Sequence, residues 1–497
     1  MTIKKSQIGL EIFLCALALG IAGESLLFDA SWGLGATVWI AGLTAAGLLL
    51  INRWDTVPKQ LDQWLLLPLC LLALTYGWRD AGMLKFATTI GLASIFGLTM
   101  QAKQLDKLGH TASRIPGIIS TGISSLLSYP GFLLKEVEWN RLLTGVDKET
   151  AKSIVRGLLL VLPCLLIFGL LLSSADAGFG TLMGSFFDID IISLPTRVFI
   201  IGIFTVIAGT YFRAIVTRVL SKKWIVTADK KRAELLMLET GIILGLVNLM
   251  FATFVFMQLG YLFGGTSFLS DASGITLASY ARKGFFELVV VASLALAMTL
   301  SVKRFFKPEN DSQKAVFRML VGFQIALLLV MLVSAAQRMW LYTESFGLTE
   351  LRLYTSAFMV WLAFVLGWFT WSALRDKSLL FVRGSVLAGA FVVLGLHVIN
   401  PEALIARTNI NRAINGATLD HHYLSTLSAD AVPTLLKLLP NLPEAEQRKL
   451  TNLIVSTWQA NPEVDWRSWN LSEYRAAAKL EQTYKESQNW PAMSRLP

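Results

Sequence analysis

Apolar runs of about twenty residues recur along this chain, and they limit what it can fold into more than any other feature. A helix crossing the bilayer core needs roughly 20 predominantly apolar residues. Eleven stretches approach that requirement: roughly 7–28, 31–51, 62–78, 81–100, 153–174, 196–219, 235–262, 284–302, 315–336, 353–373 and 381–399. The third is the shortest; it carries Pro68 and is bounded by Gln63 and by a turn from Tyr76 to Asp80. Composition agrees. With 54% hydrophobic and 16% charged residues, the chain lacks the roughly 25% of charged residues with which soluble domains cover themselves. The expected fold class is all-α, a polytopic transmembrane helix bundle followed by a small C-terminal extramembrane helical domain. The expected division is a transmembrane helical domain at 1–399 and a tail domain at 400–497. The apolar stretch from Ile8 to Phe28 follows a basic start and is long enough to remain as a span, so no cleaved signal peptide is expected.

The net charge of +10 would suggest a nucleic-acid partner in a soluble protein. Here it sorts by loop, because Lys and Arg accumulate on the cytoplasmic side of spans. Starting with Lys4 and Lys5 inside, alternate connections hold Arg53 and Lys59, the basic residues between Lys103 and Lys152, the Lys222–Arg232 cluster, Lys303 to Lys314, and Arg375 with Lys377. The other connections hold Asp29, the pair Arg79 and Asp80, Asp176 to Asp190, Asp271 with Arg282 and Lys283, and Arg338 with Arg352. Eleven crossings keep this bias consistent and put the N-terminus in the cytoplasm and the C-terminus outside, in a cytoplasmic (inner) membrane. Residues 101–152 form a long cytoplasmic connection. Within it, Ile115 to Leu134 is broken by Pro116-Gly117 and Pro130-Gly131, which suits a segment lying along the interface better than a span.

After Ile399 the chain changes character. Residues 400–497 contain ten Lys/Arg and ten Asp/Glu, and their apolar positions recur at helical spacing. Asn400-Pro401 offers a capping residue and then a first-turn proline. Ala403, Ala406, Ile410, Ala413 and Ile414 form an apolar stripe, with Arg407 and Asn411 on the opposite side. Further helices are expected near 420–427, 430–439, 443–459 and 471–487, with Asp420, Asn441 and Ser472 near their starts. Trp458, Trp466, Trp469 and Trp490 are expected to fill the tail's core or to rest on the membrane surface.

Ionisable groups within spans are expensive and point to function or to pairing. Glu11, Glu24, Lys85, Arg156, Arg213, Glu239, Glu287 and Arg318 qualify. The basic ones lie within reach of a span end and are expected to snorkel. Glu239 and Glu287 are too short to do so, and each is expected to be shielded from lipid beside a polar neighbour. Arg282, Glu287, Glu344, Glu350, Arg352, Arg407 and Asn411 are all assigned to the tail side of the bundle. They are the candidate functional or bracing cluster, and Glu239 is the candidate intramembrane acid. Thr349 is placed to cap the tenth span, with Glu350 in its first turn, where the helix dipole favours a carboxylate. Bracing of the outside loops is the expected use of the Arg and Asn residues after Asn400. The cysteines Cys15, Cys70 and Cys164 lie inside apolar runs without metal-ligand spacing, and His421-His422 diverge on a helix, so neither a metal nor a cofactor is expected. Phosphate-cradling glycine loops, zinc-protease helices and nucleophile elbows are not found.

Five local elements carry a resemblance: Tyr280 to Phe285, Gly347 to Arg352, Asn400 to Asn409, Leu419 to Leu424 and Leu427 to Pro433. In them the chain resembles a group of bacterial multi-pass membrane proteins defined only as a domain of unknown function. The resemblance implies an integral membrane protein and no particular activity. The expected function is therefore that of a non-enzymatic envelope protein whose outside tail, 400–497, binds an envelope protein partner or signals. Its other partner is the lipid bilayer, and no nucleic acid is expected. Two alternatives stand: a secondary transporter or channel using the intramembrane acids, and a lipid-linked glycosyl transferase. The short Phe28–Ser31 connection weighs against the transferase.

Overall fold

The computed structural model of the chain describes residues 2–54, 65–107, 129, 133, 193–217, 237–263, 285–306, 308–373, 378–458 and 465–486. Among them are fifteen α-helices. The bundle helices are α1 (Thr2–Leu27), α2 (Leu34–Trp54), α3 (Leu66–Leu74), α4 (Gly82–Lys107), α5 (Ser193–Thr217), α6 (Met237–Phe263), α7 (Phe285–Phe305), α8 (Asp311–Phe346), α9 (Glu350–Trp368) and α10 (Ser378–Ile399). The tail helices are α11 (Pro401–Ile414), α12 (His421–Ser425), α13 (Val432–Leu438), α14 (Glu444–Thr457) and α15 (Leu471–Glu486).

Eight helices are long and apolar enough to cross a membrane: Gln7–Leu27, Leu34–Arg53, Gly82–Thr99, Thr196–Val216, Met237–Met257, Asp311–Phe346, Glu350–Ser372 and Leu380–Ile399. They make this an integral, multi-pass membrane protein. Among the described residues the expected count of eleven is not shown. The described part of the 62–78 run forms the apolar helix α3 and one 3-10 turn at Thr75–Gly77. The 284–302 run is the 21-residue helix α7 but is not one of the eight. The 153–174 run lies outside the described residues, as does the 115–134 segment apart from Tyr129 and Leu133.

The bundle has two cores. Ile12, Ala16, Leu43, Leu72, Ile95 and Phe212 belong to the first, built by α1 to α5. Leu244, Ala292, Val321, Leu328, Leu362 and Leu366 belong to the second, built by α6 to α9. Helix α10 joins them, giving Ala390 to the first and Phe381 to the second. The closest crossing is that of α1 and α5. A Cβ on Gly20 would stand 2.7 Å from the Ile201 carbonyl oxygen, and one on Gly23 would stand 2.6 Å from the Phe204 ring. Small residues allow this approach where lipid supplies no hydrophobic drive between helices. In the second core polar contacts add to the packing. Asn248 Nδ2 donates to the Leu320 carbonyl at 2.8 Å, and buried Thr299 Oγ1 to Gln324 Oε1 at 3.0 Å.

Three of the eight intramembrane charges, Glu11, Glu24 and Lys85, stand in ion pairs, and Arg156 lies outside the described residues. Glu24, buried near the end of α1, accepts from Arg197 at the start of α5 at 2.6 Å. Lys85 reaches back to Asp80 at 2.9 Å, and Glu11 pairs with exposed Arg53 at 3.1 Å. Glu239 and Glu287 stand near the described starts of α6 and α7, with exposed side chains.

Helix α8 has 36 residues. At 1.5 Å per residue it is roughly 54 Å long, far beyond the roughly 30 Å of hydrocarbon it has to cross. Its C-terminal end stands beside the tail, whose core of Ile405, Ile410, Leu424, Leu435, Leu450 and Ile454 is separate from both bundle cores.

Candidate functional site

Helix ends explain where the tail sits. The first N–H groups and last carbonyls of a helix have no partner within it, and at the tail end of the bundle these groups are met largely by tail residues. Helix α2 begins with Leu34 and Gly35, whose N–H groups donate to the carbonyls of Trp469 at 3.0 Å and Arg467 at 2.8 Å. Gly33 permits this approach, since a Cβ there would be 2.3 Å from the Ser468 carbonyl oxygen. Ahead of α4, the N–H groups of Asp80 and Ala81 donate to Asp430 Oδ2 at 2.8 and 2.9 Å. At α9, the Glu350 N–H donates to the Tyr423 hydroxyl at 2.8 Å, while Thr349 makes no side-chain cap. The opposite polarity meets cations. Arg467 Nη1 donates to the carbonyls of Ser25 and Phe28 at the end of α1, Arg412 to those of Glu344 and Ser345 at the end of α8, and Arg79 Nε to that of His397 near the end of α10. Acceptors at N-termini and cations at C-termini are what the helix dipole favours.

Asp430 is the centre of the junction. Besides those two N–H groups it accepts from Arg79 Nη1 at 3.1 Å, Ser472 Oγ at 2.5 Å and Ser428 Oγ at 3.4 Å. The Asp430 side chain is 1% exposed and that of Arg79 10%. A buried charge is tolerable only when paired and fully hydrogen-bonded, and this one is. Asn400 completes the corner. Its backbone is left-handed at φ 57°, its Oδ1 accepts from the Ala403 N–H to cap α11, and its Nδ2 donates to the Asp430 carbonyl at 3.1 Å.

Beside this centre lies a second buried acid. Glu402, 2% exposed, accepts the Ser428 N–H at 2.5 Å. Burial raises its pKa to about 8; the Glu350 and Asp430 charges push the same way, and the Ser428 hydrogen bond opposes them. At about 8 the protonated form of Glu402 prevails at neutral pH, which spares the corner a second buried charge beside Asp430.

Around the corner a groove of about 940 Å³ opens between the α8–α9 turn and the tail, lined by residues including Phe346, Arg352, Asn409, Arg412, His422 and Lys449. Its wall depends on Gly347, buried at φ 83°, where a Cβ would meet Asn409 Oδ1 at 2.5 Å and Arg412 Nη1 at 2.7 Å. Asn409 holds the turn by its whole amide, accepting the Leu348 N–H and donating to the Leu348 carbonyl, each at 2.8 Å. Arg352 lies 4.0 Å above the Tyr342 ring and donates to the Gly347 carbonyl.

Of the residues expected here, the structure brings together Glu344 (through its carbonyl), Glu350 and Arg352. Arg407 and Asn411 are exposed on α11, and the bracing contacts come from Asn409 and Arg412. Arg282 lies outside the described residues, and Glu239 and Glu287 stand on α6 and α7, helices of the second core. Asp430, Glu402, Arg79 and Tyr423 were not anticipated as a site. The available signal was an acid within Leu427–Pro433 and another one residue after Pro401. Four of the five elements of the resemblance, those at 347–352, 400–409, 419–424 and 427–433, converge on this corner; most of the fifth, 280–284, is outside the described residues.

Comparison with known proteins gives one finding of identity. Residues 66–438 match the family described as Domain of unknown function (DUF4153). No curated protein and no solved structure matches the chain. The matched region contains Arg79, Arg352, Glu402, Asn409 and Asp430, whereas the contact of residues 31–35 with 467–469 is made by two segments that both lie beyond it. A match over most of the chain, which takes in both Asp430 and Arg79, places this integral membrane protein in the DUF4153 family.

Proposed function

We propose that this is a non-enzymatic protein of the bacterial cytoplasmic membrane, with its tail on the extracytoplasmic face. The tail forms a domain of its own that binds a ligand or envelope partner and passes that event to the bundle. The observation that carries the reading is the groove shared by the α8–α9 turn and the tail. Anything bound there touches tail and bundle at once, and the helix-end contacts around Asp430 make the two parts respond together. Lysine- and arginine-poor connections on the tail side support the outside placement. The transport alternative has less support, since Glu239 and Glu287 are exposed at helix starts.

Orientation is tested by fusing a phosphatase or a fluorescent reporter after Pro497. Phosphatase activity is expected; cytoplasmic fluorescence without it defeats the placement. Binding is tested in the full-length chain, because a detached tail would expose Asp430. A photo-crosslinking residue at Asn452, in the groove, is expected to give adducts that the same residue at exposed Arg475 does not. Identical adduct patterns would remove the groove from consideration.

A further inference from the structure

The groove contains more positive charge than its neighbours neutralise. Arg352 and Arg412 line it, yet they donate to carbonyls, those of Gly347, Glu344 and Ser345. Carbonyl dipoles orient a guanidinium without cancelling its charge. Lys449 and His421 share a single acid, Glu446, with Lys449 at 3.8 Å. His422 adds its ring to the wall. Asp420 is the one carboxylate on the lining, and its Oδ1 accepts the Tyr423 N–H as the cap of α12. Asn409 and Asn452 complete a polar floor. Such a site has spare donors in the planar fork geometry that suits oxyanions, and its volume is within the range of ligand pockets, roughly 300–1,000 Å³.

The mouth has a different character. Phe346 lines the groove and is 51% exposed, and Leu351, next to Arg352, is 56% exposed. Both belong to helices that cross the membrane. Cations inside and exposed apolar side chains at the edge match an amphipathic anion.

We infer that this groove binds a phosphate-type oxyanion, with the headgroup of an anionic phospholipid as the favoured source. The inference rests on the reading of the groove as a binding site and specifies its ligand. Arg352 and Arg412 would hold the phosphate, Lys449 would close over it from α14, and the acyl chains would leave past Phe346 and Leu351.

The test uses the full-length protein in nanodiscs of phosphatidylcholine, with phosphatidylglycerol added in steps and bound lipid read by native mass spectrometry. Inorganic phosphate is titrated separately in pure phosphatidylcholine discs. Lys449→Glu, at a side chain 65% exposed, is the variant, with its thermal midpoint in pure phosphatidylcholine as the folding control; Arg412→Gln is the second. Selective retention of phosphatidylglycerol, weakened about tenfold by each substitution, the scale of one lost charge-assisted hydrogen bond, is the expected result. Saturable phosphate binding that Lys449→Glu abolishes, with no lipid selectivity, supports the site and assigns it a soluble oxyanion. Selectivity for neither anion, or selectivity unchanged in both variants, overturns the inference. Groove-specific crosslinking from Asn452 would persist in that case, so failure of the anion and failure of the binding groove are distinguishable.

Discussion

Asp430→Asn keeps the shape of the side chain and removes its charge, leaving Arg79 buried beside a neutral amide that accepts through one oxygen only. Breaking a buried pair from one side costs about 3–5 kcal/mol. The expected outcome is a lower thermal midpoint and new protease cleavage between residues 415 and 432, checked on purified protein in detergent. Glu402 predicts a pH dependence. Its folded pKa, about 8, lies above its ordinary 4.5, so the folded state holds a proton that the unfolded state releases. That contribution is full below about 4.5 and is lost as pH rises through about 8. Glu473, raised by burial and by Asp80, acts in the same direction. Glu402→Gln should flatten the fall in midpoint between pH 5 and 9 relative to wild type, and an unchanged slope would refute the assignment. Little of this was legible in the sequence. A glutamate one residue after a proline reads as a first-turn dipole partner, and only packing against α9 and the 425–430 turn buries it.

Helices were far more legible than contacts. The tail helices at 401–414, 421–425, 432–438, 444–457 and 471–486 follow the expected ranges within a few residues, because apolar spacing and caps such as Asp420 are local signals. Asn470, rather than Ser472, caps α15, and Ser472 turns instead to Asp430. The buried face of α11 is Pro401, Glu402, Ile405, Ala406 and Ile410, rotated from the expected stripe; Ile414 is 45% exposed. Apolar periodicity located the face imperfectly because α11 docks partly through polar side chains. Asn409 and Arg412, three apart, share the docked side, whereas Arg407 and Asn411 share another. In the bundle, Gly20→Leu should separate α1 from α5 and abolish accumulation of folded protein in the membrane, measurable by fluorescence-detected gel filtration. Thr299→Val should cost only about 1 kcal/mol, the scale of one interhelical hydrogen bond in a membrane.

For the whole molecule, residues far apart in sequence determine how the ends of the bundle are satisfied. Ser31 N–H donates to Ser468 Oγ, and Arg467 reaches Ser25 and Phe28, contacts that no local pattern announces. Deleting residues 465–497 should leave the start of α2 and the end of α1 uncapped; it also takes Ser472 from Asp430 and Ala476 and Leu480 from the tail core, but leaves Arg79 and the Asp80 and Ala81 N–H groups as partners of Asp430. The expected signature is faster hydrogen exchange at Leu34 and Gly35, with protection at Asp80 and Ala81 largely retained. Equal protection at both sites would show that the tail's last turn contributes nothing to the bundle.

The capped helix ends also bear on biosynthesis. The acceptors for the second helix leave the ribosome hundreds of positions after that helix has been made. Until then its leading amide groups must rely on water or headgroups. A product stalled before those acceptors carries exposed amides and carbonyls at the membrane surface, a mark by which a membrane protease would distinguish it from protein in which the contact has formed.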